Sequence, residues 1–317
     1  MTAWTDATDG KPVVRERGRR RGTVLTSVAV LLAAGIAGHR LIPNVRGMGS
    51  LIDTAVPYAV LVLPPLLLAA LLRRSRAALA AVGLPAAVWT VLVGLPWLPV
   101  GGGGPVQFRV ASQNLMAGNP EPLSTVTALL RGGPDLVALE EIGDDDRAAV
   151  ADALRAGYPY RAGVSTVGLW SRFPIREEVG VDTGLGWTRA LRAVVSVPGG
   201  DVAVYVVHLG SARAGATGLR DRGVRMLADR VRRDPAPQLI VLGDLNTAPT
   251  DRIIGPLTSQ LADAQAQAGT GPGFTWPARL PLTRPDQVLY RGLTAAAAGT
   301  VRTPASDHRA VTAGFRR

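Results

Sequence analysis

Polar residues that could carry out chemistry stand where predicted hydrophobic strands end in the C-terminal two thirds of the chain. Carboxylate and amide oxygens suit hard divalent cations, and imidazole suits proton transfer. Rigid strands aim the side chains at their ends, so residues that are distant in sequence can meet at one edge of a fold. The pattern indicates one catalytic edge. Its candidates are Asn114, Glu141, His208, Asp244, Asn246 and His308.

The positions of the histidines support this interpretation. The chain contains three histidines, of which His39 lies beside the first apolar stretch. His208 and His308 both follow strand-like segments. A single histidine is more often a packed or surface residue than a catalytic one, but the coincidence of both with polar strand ends favours a function for each.

The elements that must position these residues recur in one order. A strand-like, a helix-like and a buried strand-like segment follow one another twice, which predicts two packed sheets flanked by helices. The first set covers residues 106–114, 123–131 and 135–139, the second covers 202–208, 219–233 and 238–242, and two later strands cover 287–290 and 310–315.

Apolar residues are concentrated before these elements. Three apolar stretches cover about 23–38, 50–72 and 77–100, and the last two have about the 20 residues that cross a bilayer. A cleaved signal peptide would explain the first stretch but not the others, so residues 23–100 are predicted to form about three transmembrane helices. Pro64-Pro65 predicts a kink in the second helix.

Basic residues predict the orientation of these helices. Residues 1–22 and the short loop 73–76 are rich in arginine, which marks the cytoplasmic side. Three crossings then place the C-terminal domain, residues 106–317, outside the cytoplasm. The glycine-rich residues 101–105 are expected to form a flexible hinge before it.

The net charge of +11 is concentrated near the predicted anchor. Residues 1–100 contain 11 Lys and Arg against 4 Asp and Glu, whereas residues 101–317 contain 24 against 20. This weakly basic C-terminal part is compatible with an anionic substrate, but it is weak evidence for nucleic acid. The absence of cysteine excludes disulfides, zinc–thiolate sites and thiol catalysis.

Seven ordered motifs within residues 106–315 resemble those of the endonuclease/exonuclease/phosphatase superfamily. That family includes nonspecific DNases, abasic-site endonucleases, inositol polyphosphate phosphatases and bacterial sphingomyelinases. The resemblance implies an α/β fold, a four-layer α/β/β/α sandwich with two mixed sheets. The motifs are Ser112-Gln113-Asn114-Leu115, Asp135 to Glu141, Ser171 to Ile175, Val207-His208-Leu209, Gly243 to Asn246, Asp286 to Leu289 and Ser306-Asp307-His308.

The resemblance also implies a metal site. Mg²⁺ or Mn²⁺ would be held, directly or through water, by Asn114, Glu141 and Asp307. Glu140 stands where the family usually has glutamine. The family's spacing puts the ligand second in the pair, just before a hydrophobic residue, so Glu141 is the predicted ligand and Glu140 a supporting residue.

The implied catalytic residues follow from the same motifs. Asp244 would orient or deprotonate the attacking water, and Asn246 would bind a phosphate oxygen. His308 is expected to pair with Asp286, which fixes its tautomer and raises its basicity. His208 would bind phosphate or act as an acid. The sequence leaves open whether His308 or Asp244 is the base.

Three other polar or aromatic residues are expected to have no catalytic role. Asp53, near the outer end of the second apolar stretch, is expected to reach water. Arg189 is expected to lie at the surface, and Trp276 is expected to pack.

The predicted anchor suggests the substrate. An enzyme tethered to a bilayer meets lipid head groups at high effective concentration. Three helices with an exported catalytic domain also resemble actinomycete membrane proteins associated with teicoplanin resistance. We therefore expect membrane lipids as partners and hydrolysis of a lipid-linked phosphate of the cell envelope. An anchored extracellular nuclease and a non-catalytic binding protein are the alternatives, although every expected catalytic side-chain type is present.

Overall fold

A computed structural model of the protein describes residues 14–213 and 215–317, and the chain divides into two units. The first unit contains residues up to Ile42 together with Ala55–Leu95. The second contains Pro43–Thr54 and Pro96–Arg317. The chain therefore enters the second unit once between apolar helices and again after them. Residues 1–13 of the predicted basic segment lie outside the described residues.

Apolar helices make up the first unit. They are α1 (Val14–Gly38), a 3-10 helix (Val56–Val62) that runs into α3 (Leu63–Leu72), and α4 (Arg76–Trp89), which is followed by a π-helical turn (Thr90–Gly94). Three helical segments are long and apolar enough to span a membrane: Gly22–Leu41, Val45–Leu72 and Arg76–Trp97. At the predicted kink a 3-10 helix changes into α3. Pro64-Pro65 lies in the first turn of α3, where proline needs no hydrogen-bond donor.

The second candidate span loses its first residues to the second unit, which contains Pro43–Thr54. Residues 56–72 remain. Seven 3-10 residues at about 2.0 Å and ten α-helical residues at about 1.5 Å give a length of about 29 Å. This length still matches a hydrocarbon core of about 30 Å.

The second unit is an α/β domain preceded in sequence by the short helix α2 (Met48–Ala55). Its helices are α5 (Pro122–Leu130), α6 (Arg147–Arg155), α7 (Gly218–Arg233), α8 (Gly255–Thr258) and α9 (Ala264–Ala268). Its strands are β1 (Phe108–Asn114), β2 (Leu136–Glu140), β3 (Tyr160–Val164), β4 (Val167–Ser171), β5 (Ile175–Gly180), β6 (Ala190–Val197), β7 (Gly200–His208), β8 (Leu239–Asp244), β9 (Ala262–Asp263), β10 (Asp286–Arg291), β11 (Thr294–Val301) and β12 (Ala310–Arg316).

The strands form two six-stranded mixed sheets. The first sheet has the order β11-β12-β1-β2-β4-β3, and the second has the order β5-β6-β7-β8-β10-β9. The pairs β1/β2 and β7/β8 are parallel, and the other pairs are antiparallel. Buried apolar side chains of both sheets form the central core. Apolar residues of α5 and α6 cover the first sheet, and those of α7 cover the second. The predicted four-layer α/β/β/α sandwich is confirmed.

The glycine-rich segment is hydrogen-bonded to the second unit. The N–H of Gly101 donates to the carbonyl of Gln267 at 2.8 Å, and the N–H of Gly103 donates to the carbonyl of Ala296 at 2.7 Å. Gly102 to Gly104 all adopt positive φ, which glycine tolerates without strain. These residues are therefore held along the domain, in contrast to the free hinge that the sequence predicts.

The expectation that Asp53 reaches water is wrong. Its side chain is fully buried and accepts hydrogen bonds from Arg252, at 2.6 Å from Nε and 2.8 Å from Nη2. Burial of a carboxylate is tolerated here because a guanidinium pairs with it. The sequence could not show this pairing, since the two residues are 199 positions apart.

Candidate active site

Strand register places three of the predicted catalytic residues side by side on the second sheet. His208 lies opposite Asp244 in the parallel pair β7/β8, and Asp244 lies opposite Asp286 in the antiparallel pair β8/β10. On the first sheet, Asn114 ends β1 opposite Glu140, which ends β2. Both sheets thus present polar strand ends, as the sequence pattern requires.

Asn114 connects the two sheets. Its Nδ2 donates to Glu141 Oε1 at 3.0 Å and to Asp244 Oδ2 at 3.1 Å, while its Oδ1 accepts the N–H of Met116 at 2.9 Å. The amide nitrogen, and not the oxygen, therefore faces the carboxylates. In this geometry Asn114 holds the acidic groups in place and would act on a cation through them.

The two adjacent glutamates have opposite environments. Burial raises the pKa of Glu141, but hydrogen bonds from Asn114 and from the N–H of Ala117 outweigh it and leave the pKa lowered. Burial raises the pKa of Glu140 well above its usual value, and among the described residues its Oε2 has no hydrogen-bond partner. The Ser112 hydroxyl donates to Oε1 of Glu140 at 2.7 Å. The surroundings thus favour the charged form of Glu141 and the neutral form of Glu140.

The second of these adjacent glutamates has a left-handed backbone conformation. Glu141 has φ 56°, a conformation that non-glycine residues rarely adopt. Asn246, in the loop after β8, has φ 48° and belongs to the same site. Glu141 directly follows β2 and Asn246 lies two residues after β8, so a left-handed residue stands just beyond the end of each strand.

His208 lies between acidic and basic groups. Its Nε2 is 3.4 Å from Glu141 Oε1 and 3.9 Å from Asp244 Oδ2, and its Nδ1 is 3.4 Å from Nη1 of Arg189. Burial lowers the pKa of His208, and the Arg189 cation lowers it further against the two carboxylates. Because a guanidinium only donates, Nδ1 must accept and the proton of neutral His208 sits on Nε2.

Arg189 is a site residue that sequence reasoning missed. Its side chain lies beside His208 and also stacks on Trp187, with Cζ 4.9 Å from the ring centroid. The available signal was its position: it directly precedes β6, whose first residue Ala190 pairs with Val207, next to His208. Register, which the sequence does not give, was needed to use that signal.

His308 has the opposite surroundings. Its Nδ1 lies 2.8 Å from Asp286 Oδ2, and the Thr275 hydroxyl donates to the same oxygen at 2.6 Å. Burial alone would lower the pKa of His308, but the charge and hydrogen bond of Asp286, with the charges of Asp244 and Asp307, raise it to about 10. The structure thus contains the contact that the sequence predicts, and His308 is an imidazolium at neutral pH.

Asp244 is the buried centre of the site. Its Oδ1 accepts the N–H of Asn246 at 2.8 Å, and its Oδ2 accepts Asn246 Nδ2 at 3.2 Å. Burial and the nearby charge of Asp286 raise the pKa of Asp244, and His308 and His208 oppose this effect. Asn246 Nδ2 also donates to the carbonyl of Leu209 at 3.0 Å, so this amide fixes the loop after β7 as well.

The donor groups fit a hard divalent cation. Ligand atoms of Glu141, His208 and Asp244 all lie within 4.8 Å of one another. Opposite ligands of an ion that binds oxygen at about 2.1 Å are about 4.2 Å apart, so the Glu141 and Asp244 carboxylates can enclose one, whereas His208 could ligate it only after losing the proton on Nε2. Asp244, Asp286 and His308 form a second group within the same limit, but the imidazolium of His308 makes it less suitable.

Asp307 lies farther out and contributes to neither group among the described residues. Its Oδ1 is 4.0 Å from His308 Nε2, and its Oδ2 accepts a hydrogen bond from Trp276 Nε1 at 3.3 Å. Both Asp307 and Trp276 line the cleft that contains Glu141 and His308. The expectation that Trp276 serves in packing is wrong, because its indole is exposed to the cleft.

Ser306 fixes the Ser306-Asp307-His308 loop to β1. Its hydroxyl donates to the carbonyl of Asn114 at 2.7 Å and accepts the N–H of His308 at 3.0 Å. Gln113 Nε2 lies 3.1 Å from the same hydroxyl. The serine therefore sets the position of the histidine relative to the first sheet.

A sequence model of the endonuclease/exonuclease/phosphatase family matches residues 106–308, nearly two thirds of the chain and the region that supplies every residue of this cluster. The chain belongs to the endonuclease/exonuclease/phosphatase family. The family contains nucleases and phosphatases, so this identification establishes a hydrolase fold without a substrate. No match was found among curated proteins.

Solved structures of this family share the fold. A humanized form of TDP2 from D. rerio is 19% identical, with a TM-score of 0.56, covering 66% of this chain and 99% of that one. A mannosyl-6-phosphatase from Bacteroides thetaiotaomicron is 15% identical, with a TM-score of 0.56, covering 66% and 100%. An endonuclease/exonuclease/phosphatase protein from Beutenbergia cavernae is 22% identical, with a TM-score of 0.52, covering 67% and 72%.

Proposed function

We propose that this protein is a membrane-anchored, Mg²⁺-dependent phosphohydrolase whose catalytic domain faces the outside of the cell and acts on a lipid-linked phosphate or pyrophosphate. One observation carries the hydrolase assignment: a charged Glu141, a buried Asp244 and a protonated His308 belong to one cluster formed by the ends of two sheets. These groups can bind a cation, direct a water molecule and neutralise a phosphate oxygen.

The residues have separate tasks in this proposal. Glu141 would hold the cation with the support of Asn114, and Asp307 would reach it through water from the cleft wall. Such a cation neutralises charge on the phosphate as the oxygens become more negative. Mg²⁺ is the natural ion for these oxygen ligands, and Mn²⁺ is the alternative.

The remaining polar groups bind water and phosphate. Asp244 accepts a hydrogen bond from the attacking water and orients it, since its buried carboxylate is fixed by Asn246 and Asn114. His308 donates its Nε2 proton to a phosphate oxygen, because Asp286 occupies Nδ1. Neutral His208 presents its Nε2 proton to the same region and serves as a second donor.

Membrane anchoring supports a lipid-linked substrate. Three candidate spans lie in the first hundred residues. The arginines of the loop 73–76 favour the cytoplasm by the positive-inside rule, and the catalytic domain would then lie outside. An anchored nuclease is the second candidate. The fold that this chain shares with TDP2 favours it, and the small net positive charge of residues 101–317 argues against it.

Phosphate release tests the enzymatic part. We expect the full chain in detergent with Mg²⁺ to release phosphate from polyprenyl pyrophosphates, and we expect Glu141→Gln and His308→Ala to abolish release. Asp152→Asn, on the exposed face of α6, serves as the matched control. Plasmid nicking with no release from any lipid phosphate would instead identify a nuclease.

Cysteine labelling tests the orientation. Because the chain has no cysteine, a single Leu123→Cys substitution on the exposed surface of α5 provides one reactive thiol. We expect a membrane-impermeant maleimide to label it in intact cells. Labelling only after cell lysis would place the catalytic domain in the cytoplasm and contradict the proposal.

A further inference from the structure

The segment Pro43–Thr54, here named the interspan segment, lies in sequence between two candidate spans but belongs to the catalytic unit. We infer that it forms a specificity wall of the catalytic cleft and binds the apolar chain of an amphiphilic phosphate substrate. The inference rests on the proposed function and adds to it the residues that distinguish a lipid phosphate from a soluble one.

Buried polar contacts fix the interspan segment to the domain. The Ser50 hydroxyl donates to Asp251 Oδ1 at 2.9 Å and accepts Arg220 Nη2 at 3.1 Å. Asp53 pairs with Arg252 on the next turn of α2. These partners lie between β8 and α8 or on α7, so the segment is held by residues that also support the active site.

The same buried network reaches a catalytic residue. Arg220 is almost completely buried, and its Nη1 donates to the carbonyl of Asn246 at 3.2 Å and pairs with Asp251 at 2.8 Å. One guanidinium thereby connects Ser50 of the interspan segment to the Asn246 loop. The wall and the catalytic centre are built on one set of hydrogen bonds.

Close packing requires glycine in this segment. A Cβ at Gly47, which has φ +81°, would lie 2.5 Å from Cγ2 of Thr217, and one at Gly49 would lie 3.0 Å from the backbone of Asn44. A Cβ at Gly49 would also lie 2.8 Å from Cζ of Arg252, so at both positions side chains of the domain occupy the space that a Cβ would need. The segment is therefore fitted to the domain surface.

Helix α2 presents different residues on its two faces. Ser50 and Asp53 are three positions apart and both buried, which defines the face toward the domain. Met48 and Leu51 have the same spacing, yet they are 54% and 57% exposed and line the cleft. Residues three apart share a helix face, so these two side chains form an apolar stripe.

The cleft combines this apolar stripe with the catalytic groups. It has a volume of about 550 Å³, within the range of small-molecule sites, and Met48, Leu51, Glu141, Asn246 and His308 all line it. A soluble phosphate ester needs only the polar end. A substrate with a charged head and an apolar chain matches both parts of the lining.

Arg46 completes the match to an amphiphile. Its exposed side chain lines the same cleft, two residues before Met48. A guanidinium can donate two parallel hydrogen bonds to one phosphate group, so it suits the outer phosphate of a pyrophosphate head. The interspan segment thus offers a positively charged side chain and an apolar stripe within residues 46–51.

Two pyrophosphates that differ only in chain length test the inference: dimethylallyl pyrophosphate with five carbons and farnesyl pyrophosphate with fifteen. The full chain in detergent with Mg²⁺ is compared with Met48→Ser/Leu51→Ser. We expect kcat/KM of the variant to fall about 10- to 100-fold for the farnesyl compound and less than about threefold for the dimethylallyl compound. The ratio of variant to wild type removes the effect of partitioning into detergent.

Two control variants guard against trivial explanations. Leu123→Ser removes an exposed leucine outside the cleft and should leave kcat/KM unchanged for both substrates. Leu51→Met keeps the stripe apolar and should retain the chain-length preference. Equal losses on both substrates, or a wild-type enzyme without preference for the longer chain, would overturn the inference while leaving the hydrolase proposal intact.

Failure of the proposed function would look different. Neither pyrophosphate would then be hydrolysed by the wild type, and His308→Ala would make no difference. Binding of dodecyl phosphate by calorimetry still tests the wall in that case. We expect the double variant to weaken this binding at least tenfold while binding of inorganic phosphate stays unchanged, and equal binding of dodecyl phosphate by both proteins would refute the wall.

Discussion

His208 and His308 belong to one cluster of side chains, yet their surroundings shift their pKa values in opposite directions. Arg189 lies beside Nδ1 of His208, where burial and positive charge both disfavour the imidazolium. Asp286 lies beside Nδ1 of His308 and stabilises it. Two histidines of one site therefore have opposite pKa shifts. Burial lowers both pKa values, and the residue beside Nδ1 is a cation for His208 and a carboxylate for His308.

The largest effect that sharpens this comparison is expected from His308→Ala. It removes the only imidazolium of the cluster, so kcat should fall by about 10²- to 10⁴-fold. The measurement is phosphate release under saturating substrate. Asp152→Asn provides the surface control, and a variant that keeps more than a tenth of wild-type kcat would refute a catalytic charge on His308.

Asp286→Asn should have the next largest effect, and it should depend on pH. Without this carboxylate the pKa of His308 should fall, because burial still lowers it and only the charges of Asp244 and Asp307 remain to favour the imidazolium. Wild-type kcat should stay high until the pH approaches about 10, whereas the variant should decline from a much lower pH. Parallel profiles of kcat against pH would contradict this assignment.

Titration of the metal-free protein tests the comparison directly. Three histidines give one Cε1–H signal each in a ¹³C-histidine NMR spectrum. We expect His208 to titrate below its ordinary value of about 6.5 and His308 near 10. Arg189→Gln should raise the pKa of His208 and leave that of His308 unchanged. A single common pKa would show that the surroundings do not distinguish them.

Stability should follow the same titration. Because the folded pKa of His308 exceeds the unfolded value, its contribution is fully present below about pH 6.5 and is lost as the pH rises through about 10. The free energy of unfolding of the catalytic unit should therefore fall over this range. Chemical denaturation at several pH values measures it, and Asp286→Asn should weaken the dependence, because the largest contribution to the raised pKa of His308 is removed.

The smallest effect is expected from Thr275→Val. The threonine hydroxyl donates to Asp286 and does not touch His308, so its loss should remove one hydrogen bond worth about 0.5–1.5 kcal/mol. We expect kcat to fall about two- to tenfold, because Asp286 loses one of the bonds that hold it against His308. An effect as large as that of Asp286→Asn would mean that the hydroxyl contributes to catalysis independently of Asp286.

The site shows where sequence reasoning succeeds. Motif order identified the polar strand ends, and the ordered motifs also predicted the His308–Asp286 pair, because each motif fixes its residue at a known place in the fold. The preference for Glu141 over Glu140 remains a prediction, although the lowered pKa of Glu141 and the raised pKa of Glu140 are what a ligand and its neighbour would need.

Arg189 and Trp276 show where reasoning from the sequence fails. Arginines are frequent in this chain, and an isolated tryptophan packs more often than it lines a site. Nothing in the local sequence distinguishes them. Arg189 gains its importance from the register of β6 against β7, and Trp276 from its hydrogen bond to Asp307 thirty-one residues later.

The sequence by itself determined the layers of the catalytic domain, the apolar segments and the chemical types at the strand ends, because hydrophobic periodicity and short motifs are local properties. Only the tertiary structure decided which helix residues face the cleft, that Asp53 is buried against Arg252, and that Arg220 joins Ser50 to the Asn246 loop. Those contacts join residues between 26 and 199 positions apart. Charges and hydrogen bonds act through space, so their partners follow from the folded arrangement.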